Sequence, residues 1–232
     1  LGLDAWTGYG TFSLAIPDLP PAPHLDLAQI GWAVAIGLAA AVVCFGIKWL
    51  ALYLRPHVER RLLLLTPVAG LAIAGLAIAF GEATGKPSSD VLFSGQTALT
   101  PLLENAASYT VGTLVLLIVC KGLAYSISLS SFRGGPTFPG MFLGAAGGIA
   151  LSHLPGLPMI AGAAIGIGAM TAGMLQLPIT AVLLTTLFLG ADGIATMPLV
   201  IVAVVVSFVL SKWLAGPPPE PGDYWWVVVA VS

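Results

Sequence analysis

The chain has 232 residues, of which 58% are hydrophobic and only 8% charged. A water-facing domain carries about 25% charged side chains, so a soluble globule is excluded, and a formal net charge of −2 provides no basic field for nucleic acid. The composition is that of an all-α integral membrane protein whose first partner is the lipid bilayer.

In chain order, residues 1–29 form a mixed entry segment with Asp4, Asp18, Asp26 and several prolines. It lacks the charged start and apolar core of a signal peptide. Residues 30–54 are one apolar run broken only by Lys48, and residues 62–80 are a second, uncharged run. Each approaches the ~20 residues that cross a bilayer. Between them lies Arg55-Pro56-His57-Val58-Glu59-Arg60-Arg61, which reads as a cytoplasmic loop because arginine is retained on that side. Residues 1–26 then fall outside, as does the acidic connection 81–105, and the plasma (inner) membrane is the expected location. A third run, 106–129, contains Lys121. This lysine either faces a wet cavity or snorkels to the interface, and its place past the middle of the run favours snorkelling.

From Gly134 to Ala191 there is no Asp, Glu, Lys or Arg, yet five prolines cut the stretch into pieces. Residues 141–152 and 179–189 are too short to span alone, so half-length, re-entrant helices are expected. Residues 194–214 are a last full run, followed over 215–232 by a proline-rich tail and the start of a terminal helix. The membrane domain is therefore placed at 30–214. Gly144, Gly147, Gly148, Gly162 and Gly166 are expected to let helices approach closely. Cys44 and Cys120 sit in apolar runs and read as packing, and no metal-ligand cluster or cofactor is expected.

The stretch carrying most chemical information is Ser130-Ser131-Phe132-Arg133-Gly134-Gly135-Pro136-Thr137-Phe138-Pro139-Gly140. Two glycines permit a tight turn, and proline suits the first position of a helix. A helix start inside a membrane has unpaired amides and about half a unit of positive dipole charge, both of which attract an anion. The alternative is a re-entrant turn that only packs, its amides capped by Ser130 or Ser131. Arg133 either steers anions or anchors the membrane edge. His153 reads as an interfacial histidine, His24 and His57 as solvated, and Glu104 as an end charge.

Gly135-Pro136-Thr137-Phe138-Pro139, followed by Leu143-Gly144, resembles the Gly-x-Phe-x-Pro anion-binding stretch of the CLC chloride channels and chloride/proton antiporters. Residues 165–181, ending in Pro178-Ile179-Thr180-Ala181, are similar to the family's later Pro-Leu-Thr segment, and Phe12-Ser13-Leu14 to Pro17 resembles its entry into the second half. The resemblance implies the C-terminal half of an inverted repeat, moving chloride as a channel or a proton-coupled exchanger. It also implies a homodimer built through the helices of 178–214 and a need for an N-terminal half, the chain reading as a fragment. By the same resemblance the anion is bound by Gly135, Pro136, Thr137, Phe138 and Pro139, with Tyr224 the available match for the family's tyrosine ligand. Pro136 departs from the pattern because it has no N–H to offer; the Thr137 hydroxyl offsets part of that loss. Leu187 stands where the family often has a glutamate. Two other functions are carried beside this one: an intramembrane serine hydrolase using Ser94, Ser130 or Ser131 with His153, and a non-conducting half that only dimerises.

Overall fold

A computed structural model of the chain describes residues 27–132 and 134–215. Eight helices follow in order, and no strand occurs among the described residues: α1 Leu27–Arg60, α2 Leu62–Thr84, α3 Gln96–Glu104, α4 Val111–Ser131, α5 Thr137–Ser152, α6 Met159–Leu175, α7 Pro178–Leu189 and α8 Ala191–Ala215. Short 3₁₀ turns at Ser88–Asp90 and Ala106–Ser108 flank α3.

Four segments are long and apolar enough to cross a membrane: Ala28–Arg60, Leu63–Thr84, Val111–Ser131 and Ala195–Ala215. Their outer faces carry Leu63 at 90% exposure and Trp213 at 78%. Apolar surface of that extent is unfavourable against water and neutral against lipid tails. α5, α6 and α7 have 16, 17 and 12 residues, below the ~20 required for a crossing. The expected half-length helices are therefore present, cut where proline and glycine fall. Gln176, in the left-handed conformation at φ 59°, closes α6, and Pro178 opens α7 two residues later.

The charged cluster at 55–61 does not form a loop. α1 runs through Pro56 to Arg60, and only the turn at Arg61 separates it from α2. Arg55 pairs with Glu59 one turn on, at 2.6 Å, and His57 and Arg60 occupy the last turn. There positive charge complements the negative end of the helix dipole, so the helix persists where proline and charge density suggest a break.

α6 is the central strut. Every residue from Ile160 to Met174 is buried, as befits a helix that is apolar on all faces. Gly144 and Gly148 of α5 meet Gly166 and Gly162 of α6 backbone to backbone; a Cβ on Gly144 would overlap the Gly166 carbonyl, and one on Gly148 the Gly162 carbonyl. Gly147 differs, with only Ile118 Cδ1 near its virtual Cβ, at 3.9 Å. The other faces of α6 take α1 and α8: Cys44 lies against Gly173 and Val200 against Gly168. Two polar groups that reach this core are satisfied by α6 carbonyls, Ser207 Oγ donating to Ala169 O at 2.7 Å and Lys48 Nζ to Gly173 O at 2.8 Å, whereas the buried Thr171 hydroxyl of α6 has no hydrogen-bond partner. The lysine thereby serves the carbonyl end of α6, where a cation suits the dipole.

Candidate anion site

α4 ends at Ser131, Phe132 continues in extended conformation, and α5 opens at Thr137 with Pro136 as its flanking residue. The first turn of α5 has no acidic residue, and no side chain among the described residues caps it. Gly140 N–H donates to Pro136 O at 3.0 Å, which closes the first turn and leaves the amides ahead of it as orphans. The serine-capping alternative is not formed: Ser130 Oγ donates to Ile127 O at 2.7 Å and lies 3.3 Å from Ser131 Oγ.

A cavity of about 290 Å³ lies beside this break. Gly134, Gly135 and Pro139 line one part of it, Lys121, Tyr125 and Ser128 of α4 another, and the connection from Val91 to Ser94 a third. Of the residues anticipated for the site, Gly135 and Pro139 thus reach the cavity. Pro136 is buried off it, and Thr137 and Phe138 are half-buried and do not line it. The Phe138 ring packs against the core cluster around Phe142 and Ile149. Tyr224 and Arg133 lie outside the described residues.

Lys121 is the central residue of α4, ten positions from either end of Val111–Ser131. Snorkelling does not occur. The side chain is 2% exposed; its Nζ donates to Asp90 O at 2.5 Å and Leu92 O at 3.2 Å and sits 4.3 Å from the centre of the Phe142 ring. Lys121 borders the cavity, with its ammonium turned to backbone carbonyls. The connection between α2 and α4 folds back into the bundle and offers its carbonyls to the ammonium. Tyr125, one turn further along α4, is 9% exposed, and its hydroxyl has no hydrogen-bond partner. Sequence reasoning missed this pair, although Lys121, Tyr125 and Ser128 stand at i, i+4 and i+7, the spacing of one helix face.

Asp90 gives Lys121 its carbonyl and turns its carboxylate elsewhere, accepting from Tyr109 Oη at 3.1 Å. Burial holds the Asp90 carboxyl above its ordinary range, against the Tyr109 hydrogen bond and the positive fields of Lys121 and Lys86. Burial and the adjacent Asp90 charge push Tyr109 up to about 12, so it remains a donor. A carboxyl raised on folding binds its proton more tightly in the folded state. Its contribution is present below the unfolded pKa and is lost as pH rises through the folded one. Melting curves are therefore expected to show the wild type losing stability relative to Asp90→Asn as pH rises from about 4 through the raised folded-state pKa, with the difference collapsing at the acid end.

The hydrolase alternative finds no support in this geometry. His153 Nδ1 lies 3.0 Å from Ile149 O, a local contact within its own turn, while Ser130 is engaged with Ile127 O. No serine–histidine hydrogen bond occurs among the described residues.

Comparison with known proteins identifies the family. The family described as "Voltage gated chloride channel" matches residues 6–212. A protein of Escherichia coli O1:K1, named "Putative ion-transport protein YfeO", is 28% identical over 209 residues, covering 89% of this chain and 47% of that protein. Its counterparts in Escherichia coli K12 and Shigella boydii serotype 18 are each 27% identical over the same length. The chain spans about half the length of these curated relatives. No solved structure matches it significantly.

Proposed function

The chain belongs to the voltage gated chloride channel family, and from that premise we propose that it moves chloride or another small monovalent anion across a membrane, using the start of α5 as a binding element. The observation that carries the reading is the opening of α5 at Thr137, with no side-chain cap and no acid in its first turn, beside a cavity into which Gly135 and Lys121 face. Oriented amides and hydroxyls hold an anion without the grip of a close ion pair, and a weakly held ion can also leave. Gly135, Pro136, Thr137, Phe138 and Pro139 are the proposed binding stretch, with Tyr224 as an added ligand. A facing N-terminal half completes the pathway, and a second copy docks along α7 and α8. In this reading residues 1–26 lie outside and 55–61 in the cytoplasm.

The test is chloride efflux from liposomes containing the folded full-length protein. Flux above empty vesicles is expected, and none above that background overturns the proposal. In the same assay Thr137→Val is expected to weaken apparent chloride affinity by about tenfold or more, as for a hydrogen bond to a charged partner. Unchanged affinity would remove the hydroxyl from the site.

A further inference from the structure

The corner where α1 meets α2 carries positive charge that its own acid does not balance. Three of the chain's eight lysine and arginine residues fall within 55–61. Glu59, the one acid there, is taken by Arg55 at 2.6 Å. Arg60 and Arg61 are exposed, and neither has a carboxylate within ion-pair distance among the described residues. Leu63 and Leu64, directly beyond them at the opening of α2, are exposed as well. Water suits the guanidinium groups and not the leucines, whereas hydrocarbon suits the leucines and not the guanidinium groups. The zone that suits both is the headgroup layer of a bilayer.

One face of α1 leads into this corner. Val42, Trp49, Tyr53 and Arg60 stand at i, i+7, i+11 and i+18, which is a single stripe on an α-helix. The stripe is open to the outside of the bundle, Val42, Trp49 and Tyr53 each being 58% exposed. Trp49 and Tyr53 stack, with ring centroids 5.8 Å apart and planes 13° from parallel, and the Tyr53 ring meets that of His57 at 5.5 Å. His57 Nδ1 lies 3.1 Å from Tyr53 O, which holds the imidazole at the top of the stack. Along the stripe the side chains pass from aliphatic through aromatic to cationic. A phospholipid presents acyl chain, glycerol ester and phosphate in the matching order from the bilayer interior outward.

We propose that this corner binds an anionic phospholipid, with Arg60 and Arg61 on its phosphate and the Trp49–Tyr53 stack against its glycerol and upper acyl region. Charge selects an anionic lipid over a zwitterionic one, because in the latter the phosphate is already compensated by its own ammonium. Arginine suits phosphate because its planar fork donates two parallel hydrogen bonds. The bound lipid braces a corner where only the turn at Arg61 joins the two helices. The site goes beyond the transport reading and does not rest on it. In the orientation proposed there, the corner meets the cytoplasmic leaflet, whose surface is negative.

The test is native mass spectrometry of the full-length protein from micelles containing dioleoyl phosphatidylglycerol or dioleoyl phosphatidylcholine, which share acyl chains and differ in headgroup charge. Phosphatidylglycerol is expected to be retained in preference, and less so as ionic strength rises. Arg60→Gln and Arg61→Gln are each expected to lower its affinity by about fivefold, and the pair by about 25-fold. Glu59→Gln removes the corner's negative charge and is expected to raise affinity by about fivefold, a gain that misfolding cannot produce. Trp49→Leu is expected to lower retention without changing its salt dependence, since the ring meets the uncharged part of the lipid. Wild-type protein that retains both lipids equally, or a double arginine variant that retains phosphatidylglycerol as the wild type does, overturns the site. Inorganic phosphate that displaces phosphatidylglycerol at equal concentration marks a free-phosphate site and overturns the lipid assignment. A changed oligomeric state in the double variant with lipid retention unchanged gives the corner to a protein contact, and overturns it too.

Discussion

A single methyl group at Gly144 is expected to lower the stability of the helical core by about 3 kcal/mol, the upper end of the range for overpacking. The cause is what the methyl meets. Its nearest neighbours are the carbonyl oxygen and carbon of Gly166 and the Met170 Cβ, and backbone atoms cannot rotate out of the way as a side-chain end can. α5 would have to move off α6, and α6 is fixed in turn against α1, α7 and α8. Lipid tails are as apolar as leucine, so helices in a membrane gain little from hydrophobic exclusion and depend on close contact; a lost contact is not replaced. Gly147→Ala is the control, since its added methyl meets only Ile118 Cδ1, at 3.9 Å. Thermal unfolding in detergent is expected to show a large fall for Gly144→Ala and little change for Gly147→Ala. Equal melting temperatures would mean that α5 and α6 are not in glycine-to-glycine contact.

That contact is among the features readable from residue order alone. Small residues at i and i+4 on two neighbouring apolar segments announce a close crossing, and Gly144 with Gly148 facing Gly162 with Gly166 realises it. The breaks were legible for a similar reason: a proline or glycine in a charge-free stretch leaves the helix nowhere to continue, and α5, α6 and α7 begin and end at such points. The end of α1 was less legible, because local breakers at Pro56 compete with an Arg55–Glu59 pair and a favourable dipole end, and the outcome is a balance of small terms. Lys121 was misread for a different reason. Whether a lysine snorkels or stays inside depends on which acceptors come within reach, and here they come from Asp90 and Leu92, 31 and 29 residues earlier. Sequence spacing shows that Lys121, Tyr125 and Ser128 share a face; it does not show that the preceding connection folds back to cover it.

Pro136→Ala is expected to tighten anion binding by about tenfold, which is the return expected from one new charge-assisted hydrogen bond. Pro136 and Pro139 both lack an N–H in the binding stretch, and Pro136 is the one that lies ahead of the first turn of α5. Its backbone, at φ −83° and ψ −10°, is comfortable for alanine, so the replacement adds an N–H at the helix start without asking the chain to move. The Pro136 carbonyl continues to accept from Gly140, and the first turn stays closed. Loss of the proline ring costs about 0.4–1 kcal/mol through the unfolded chain, small enough to leave a folded protein. The same change should slow maximal flux, because an ion held more firmly leaves less readily. Calorimetry and efflux together therefore read opposite signs from one substitution: higher affinity and lower throughput. If affinity does not change, the anion does not rest on the α5 start.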